Sequence, residues 1–245
     1  MDSIDPTVAS QDGPGESAAK TGRSATGRGT RVGAVDRVFR DIVNGLYEGR
    51  FVPGQRLVEA DIAAAYGVGR STVREAITRL AAEFIVEVSP YRGAQIRRLR
   101  RKEAEDILIL LELLIGLAAR LAADRIDQPG MREELSDAID AVMRFEELGD
   151  SVAFHSARND FFRALVAASG NGELRRLLRS LNIHLLRVQM RPFGVEGSPE
   201  RFEDYKAIAE TILDGDGGKA EKAGRRYISR VASAVGALPD KVFAR

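Results

Sequence analysis

The 245-residue chain has no cysteine and no tryptophan, only two histidines, and 6% aromatic residues. Without cysteine there is no disulfide, thiolate metal centre or cysteine nucleophile. Two histidines cannot build a His-rich metal site and leave little for acid–base catalysis. A nucleophile elbow and a Gly-rich phosphate loop after a strand are missing as well, so the reading is not an enzyme. Few aromatics suit a helical protein better than a β-sandwich. The longest apolar run, ILILLELLIGLAA over 107–119, is interrupted by Glu112 and falls short of the ~20 residues that span a bilayer. The N-terminus carries acidic residues and no continuous apolar stretch, so it does not read as a signal peptide. With a formal charge of +1 and 30% charged residues, any basic surface has to be local. These absences together point to a cytoplasmic, mainly helical protein.

What is present is ordered along the chain. Residues 1–34 are rich in Gly, Ser, Ala and Thr without periodicity, and are expected to form a disordered tail. From Val35, VDRVFRDIVNGLYEG sets Val38, Phe39, Ile42, Val43 and Leu46 at helical spacing. PGQRL (53–57) reads as a turn. VEADIAAAYGV predicts a short helix with Ile62, Ala63 and Tyr66 inward, closed at Gly67. GRSTVREAITRLAAEF predicts a second, with Val73, Ile77 and Leu80 on its apolar face. IVEVSPYRGAQIRRL alternates with period two around Pro90-Tyr91-Arg92-Gly93, a hairpin signal. Three helices followed by a hairpin give the order of a winged helix-turn-helix over 35–98. Residues 99–103 read as a basic linker, and 104–236 as an all-helical domain with turns at Gly, Pro, Asn and Asp clusters. Its helices are expected over 103–127, 131–148, 151–169, 172–190, 199–215 and 218–236, with a C-terminal tail at 237–245. The expected fold is mainly α: an N-terminal winged helix-turn-helix with a small β-hairpin, then an antiparallel helical bundle.

The second short helix carries the chemistry of DNA reading. Arg70 and Arg74 lie one turn apart near its N-terminus, the end that enters the major groove in helix-turn-helix docking. Arginine can grip guanine O6 and N7 with two hydrogen bonds. Ser71 and Thr72, with the free N–H groups of the first turn, suit phosphate oxygens, although Thr72 with Glu75 also fits a capping box. Arg92 and Gly93 form a wing tip where glycine lets the backbone approach a minor groove.

PGQRLVEADIAAAYGVGRSTVREAITRLAAEFIVEVSPYRGAQI resembles the winged-helix domain of GntR-type bacterial transcription regulators. The likeness rests on the PG-x-x-L opening, the GV-x-R-x-x-VREA-x-x-x-L helix and the RGA wing. It implies that Arg70 and Arg74 contact bases, Ser71 and Thr72 the backbone, and Arg92-Gly93 the minor groove. Ala60 departs from a frequent arginine and Gly69 from a usual Ser or Thr. The helical half, with AARLAA (118–123) and ALVAASGN (164–171), is similar to the effector domain of the FadR subfamily.

That likeness brings a further expectation. Most relatives of this subfamily bind a divalent metal through one Asp and three His, and the metal grips a small carboxylic acid. Matched residue by residue, this chain has Arg158 at the Asp position and Phe162, Tyr205 and Tyr227 at the His positions. On the domain's first helix, Leu111 and Ile115 stand where relatives often carry an Arg and a Glu. No metal and no cofactor are expected. A guanidinium can hold a carboxylate in place of a metal, and tyrosines add hydroxyl donors on apolar bodies. The expected effector is a largely apolar organic acid or acyl thioester; the alternative is a degenerate pocket filled by side chains. Double-stranded DNA with a palindromic operator and a homodimer complete the expected partners, because one recognition helix reads one half-site.

Overall fold

The computed structural model describes residues 26–90, 93–148, 151–181, 183–195 and 198–244. Its N-terminal part is built from α1 (Thr26–Tyr47), β1 (Arg56–Leu57), α2 (Glu59–Tyr66), α3 (Arg70–Ala82), β2 (Val86–Ser89) and β3 (Gly93–Ile96). Helix α1 packs on α3. Val38, Ile42 and Leu46 of α1, with Val73, Ile77 and Leu80 of α3, are buried at i, i+3, i+4 and i+7 spacings, each contributing roughly 1.5–3 kcal/mol. Gly67 takes φ 61°, the left-handed conformation that ends α2 and turns the chain into α3. The Tyr66 hydroxyl donates to the Asp41 carboxylate and so ties α2 to α1.

Three expectations are corrected here. The sheet has three antiparallel strands in the order β1–β3–β2 rather than a two-stranded hairpin. PGQRL supplies the third, with Arg56 opposite Gln95 and Leu57 opposite Ala94. The capping box is absent: the N-cap of α3 is Gly69, without a side-chain cap, and Thr72 lies inside the helix. Helix α1 begins at Thr26, so residues 26–34 are helical rather than tail; residues 1–25 of that tail lie outside the described residues.

The helical domain comprises α4 (Arg101–Ala123), α5 (Met131–Met143), α6 (Val152–Ala168), α7 (Gly172–Ser180), α8 (Ile183–Met190), α9 (Pro199–Leu213) and α10 (Gly217–Gly236). Side-chain caps start three of them: Ser151 accepts from the Phe154 N–H, Asn171 from Leu174 and Asp216 from Lys219. The helix expected over 172–190 is two. Of α7 only Leu174 is buried, whereas α8 turns inward and buries Leu185, Leu186, Val188, Gln189 and Met190. A single straight helix could not serve both a solvated face and an almost wholly interior one.

The linker and the C-terminal segment also differ from expectation. Leu99 is buried; its N–H donates to Gln189 Oε1 at 2.8 Å, and its carbonyl accepts from Gln189 Nε2 and from the Ala244 N–H. Gln189 Nε2 also donates to the Val242 carbonyl at 3.1 Å. Arg101 holds Asp240 and the Leu238 carbonyl, with its guanidinium 4.5 Å from the Phe243 ring centroid. Residues 99–103 are therefore clamped, and 237–244 form the clamp rather than a loose tail.

Small residues set the closest helix contact, between α4 and α10. A Cβ on Gly224 would stand 3.2 Å from the Ile115 carbonyl oxygen and 3.3 Å from Gly116 Cα. Both are backbone atoms of α4, so relief requires the two helices to shift apart by a few tenths of an ångström. Gly224→Val is expected to destabilise by about 1–3 kcal/mol despite its gain in chain stiffness, read as a lower urea midpoint at unchanged slope.

Candidate functional site

Two regions collect the residues singled out from the sequence. On the DNA-binding part, Arg70, Ser71 and Arg74 are exposed along one side of α3, opposite the buried Val73, Ile77 and Leu80. Arg74 Nε donates to both carboxylate oxygens of Glu59, at 2.8 and 3.0 Å. That ion pair fixes the direction of the side chain while using only Nε, which leaves the terminal nitrogens as a donor fork. Thr72 does not join this surface: it is 7% exposed and belongs to the inner face of α3, so its expected phosphate contact is not supported. Gly93 opens β3 at φ 70°, a conformation open to glycine at little cost. Arg92 lies outside the described residues.

Arg56 was missed by sequence reasoning. It is exposed on β1, and its guanidinium lies beside Gly93, where a Cβ would meet Nη2 at 3.7 Å. Only the β1–β3 pairing, which a two-residue strand does not announce, brings it to the wing. Arg79, by contrast, is turned back onto the domain: it pairs with Asp36 and lies 4.2 Å from the Phe39 ring centroid.

The second region lies in the helical domain. Phe162, Tyr205 and Tyr227 converge as an aromatic cluster, with ring centroids 5.3 Å apart for Phe162–Tyr227 and for Tyr205–Tyr227, and 6.1 Å for Phe162–Tyr205. Their rings close the interior: the void that Tyr227, Phe162, Leu111 and Ile115 share measures about 20 Å³, room for about one water. Tyr205 and Arg158 are buried at 0% and 1% exposure. Burial, then the neighbouring Tyr227, pushes the Tyr205 phenol well above its usual range, so it stays a neutral hydroxyl. A guanidinium, a phenyl ring and two phenols do not offer the oxygen and imidazole set that a divalent ion requires. The residues at these positions do not fit a metal.

Outside the cluster an open cleft of about 610 Å³ begins. Leu111, Ile115 and Phe162 form part of its apolar wall, so these three expected residues do face a pocket. Arg158, Tyr205 and Tyr227 stand behind that wall rather than on it. Arg158 Nη2 donates to Asn159 Oδ1 at 2.9 Å, and the same oxygen accepts from Arg187 Nη1 at 2.9 Å. Arg187, on α8, lines the cleft; burial, then the Arg158 charge, brings its guanidinium down to about 10. Tyr47, the last residue of α1, lines the same cleft, and burial raises its phenol. Its carbonyl accepts from Arg191 Nη1 at 2.7 Å. The DNA-binding part thus supplies a piece of the wall. Arg187 was overlooked because 172–190 reads as one amphipathic helix; its place in the apolar stretch IHLLRVQM was the available signal.

A buried ion network braces the region. Asp204, 1% exposed, accepts from Arg230 Nη1 at 2.8 Å and Arg201 Nη1 at 3.1 Å, joining α9 to α10.

A recognition helix with exposed arginines, a wing, and a helical domain with a cleft at the joint define a two-domain DNA-binding regulator rather than an enzyme. Residues 34–96 match the family model of bacterial regulatory proteins of the gntR family, and residues 106–230 match the FCD domain. The chain belongs to the gntR family of transcriptional regulators, in its FCD-domain form. It is 28% identical over 200 residues to the "Probable D-xylose utilization operon transcriptional repressor" of Paenarthrobacter nicotinovorans, covering 82% of this chain and 88% of that protein. It is also 28% identical over 220 residues to the regulator Mce2R of Mycobacterium tuberculosis, covering 79% and 88%. Among solved structures, a GntR regulator from Rhodococcus sp. RHA1 has a TM-score of 0.72 at 22% identity, over 84% of this chain and 99% of that one. E. coli McbR/YncC has 0.71 at 19%, over 83% and 97%. At these identities the structures speak for the fold.

Removing the acid at the centre of the network leaves Arg201, whose side chain is 8% exposed, as a buried charge without its counter-ion. Asp204→Asn is expected to cost about 3–5 kcal/mol, lowering the melting temperature by roughly 6–20 °C in a calorimetric scan.

Proposed function

We propose that the protein is a cytoplasmic homodimeric repressor of the FadR type that binds a palindromic operator and releases it when a largely apolar organic acid or acyl thioester enters the helical domain. The observation that carries this reading is the cleft of about 610 Å³, in which an apolar wall of Leu111, Ile115 and Phe162 meets Arg187 and Tyr47. It combines apolar area with cationic donors, the pairing that an amphipathic acid requires. The effector acts without metal or cofactor. Arg158 takes part from behind, by setting the Asn159 amide that also holds Arg187. Among the described residues no helix is long and apolar enough to cross a membrane.

A second copy of the chain is the partner that the exposed side of α4 fits. Ile109, Leu110, Leu113 and Leu117 are 39–61% exposed along one flank of that helix. Two heads on one rigid base supply the affinity that a single recognition helix lacks. In the DNA complex, Arg70 and Arg74 read base edges, Ser71 and the first-turn N–H groups meet phosphate, and Arg92-Gly93 enter the minor groove, with Arg56 beside Gly93. The closed aromatic cluster favours a second reading, a ligand-free dimeric DNA-binding protein whose inner pocket is filled.

Gel shifts on the DNA upstream of the protein's own reading frame test the first part. Arg70→Ala and Arg74→Ala are each expected to weaken operator binding by about 1–3 kcal/mol, and Arg56→Ala to reduce the salt slope by about one unit. No duplex binding at low salt, or none of the three variants having an effect, overturns the DNA assignment. A thermal-shift screen of organic acids tests the second part. An acid hit that also releases the operator is expected to lose most of its effect in Arg158→Gln, and an unchanged shift there removes Arg158 from the effector site. If no acid stabilises the chain, the ligand-free reading stands.

A further inference from the structure

The cationic side of the cleft is richer than a single carboxylate needs. Arg175, Arg179 and Arg187 all line it. Among the described residues none of the three forms an ion pair, whereas Arg163 at the same mouth is paired with Asp160. Arg187 is held by a neutral amide oxygen and lies 5.9 Å from the Phe162 ring centroid. Arg179 spends its Nε on the Arg175 carbonyl. Guanidiniums are usually matched by a carboxylate or left to water on a convex surface; three collected around one concavity leave a standing positive potential. A further guanidinium, Arg158, stands behind the wall, donates to the same Asn159 oxygen as Arg187 and strengthens that potential. Much of the remaining lining is apolar, with Leu111, Ile115, Phe162, Val166 and Leu178. A wall of that kind takes a hydrocarbon chain or ring, and one negative charge would leave most of the cationic side unanswered.

We propose, building on the effector reading of this same site, that the cleft binds an amphipathic dianion, in its simplest form a phosphate monoester on an apolar chain, with the charged group held by Arg175, Arg179 and Arg187 and with Tyr47 of the DNA-binding domain touching the ligand. Arginine suits this head group because its planar fork pairs two N–H groups with two phosphate oxygens. The volume lies within the ~300–1,000 Å³ of ordinary small-molecule sites. Tyr47 gives the ligand a contact on the head that carries α3, so occupancy is felt at the joint directly.

The experiment compares n-octyl phosphate, octanoate and inorganic phosphate as ligands of the full chain by calorimetry and thermal shift. Octyl phosphate is expected to bind at least tenfold more tightly than octanoate, and inorganic phosphate, lacking the chain, more weakly than octyl phosphate. Arg175 and Arg179 are exposed, so the double variant Arg175→Ala/Arg179→Ala keeps its fold; it should bring octyl phosphate down to the octanoate level and change octanoate less than threefold. The chain has no tryptophan, so Tyr47→Trp supplies a single reporter, whose emission should change with the midpoint found by calorimetry. Equal affinity of octanoate and octyl phosphate overturns the dianion and leaves the effector reading standing. Saturation by octyl phosphate without any change in that emission overturns the contact from the DNA-binding domain. If neither amphiphile binds while another acid does, this assignment fails alone; if no acid binds, the effector reading fails with it.

Discussion

The rest of the structure depends on a single buried amide. Gln189 answers both backbone groups of Leu99 and the carbonyl of Val242, so one side chain joins α8, the interdomain linker and the C-terminal segment. An unanswered N–H at this depth would cost about 1–3 kcal/mol, which is reason enough for a buried polar residue on α8. The consequence is geometric. With Leu99 fixed, the head leaves the helical domain in one direction, and the hinge that a basic linker suggests becomes a clamped joint. The head is then held a second time, where Arg191 grips the Tyr47 carbonyl.

The aromatic cluster of the helical domain follows from another constraint. Three aromatic rings fill this part of the interior with one another. Phe162, Tyr205 and Tyr227 meet at edge and stacked geometries worth about 0.5–1.5 kcal/mol per pair beyond their burial. The cluster stabilises the bundle from within, and the accessible volume lies outside it. The open cleft therefore borders the cluster, sharing Phe162, rather than penetrating it. Arg158 follows the same logic. At 1% exposure it braces the cationic wall from behind, through the Asn159 oxygen that it shares with Arg187.

Much of the fold was legible because periodicity is a local property. The buried face of α3, the Gly67 turn and the alternation of β3 can be read from consecutive residues. The features that escaped were non-local. β1 exists only because residue 56 meets residue 95, and that pairing also carries Arg56 to the wing. Thr72 was misread because an N-cap at residue 72 and one at residue 69 predict similar helices from sequence, and only burial separates them. The break between α7 and α8 carries no proline, and it follows from the different surroundings that the two halves meet. Segment 237–244 looked like a tail because its few apolar residues show no period; Val242 and Phe243 gain meaning only against Arg101 and Gln189.

These constraints say how a ligand would be felt at the DNA. Arg187, Gln189 and Arg191 follow one another at every second residue, spanning about 6 Å of helix rise. One faces the cleft, one holds the linker and one holds the end of α1. A displacement of α8 large enough to admit a head group at Arg187 must be absorbed at one of the two joints, because close-packed interiors do not deform continuously. A ligand shifts an equilibrium only by the difference in its affinity for the two states. A pocket enclosed by one domain needs a relay to create that difference. A cleft walled by both Tyr47 and α8 has it built in, since any rotation of the head changes the wall that the ligand touches.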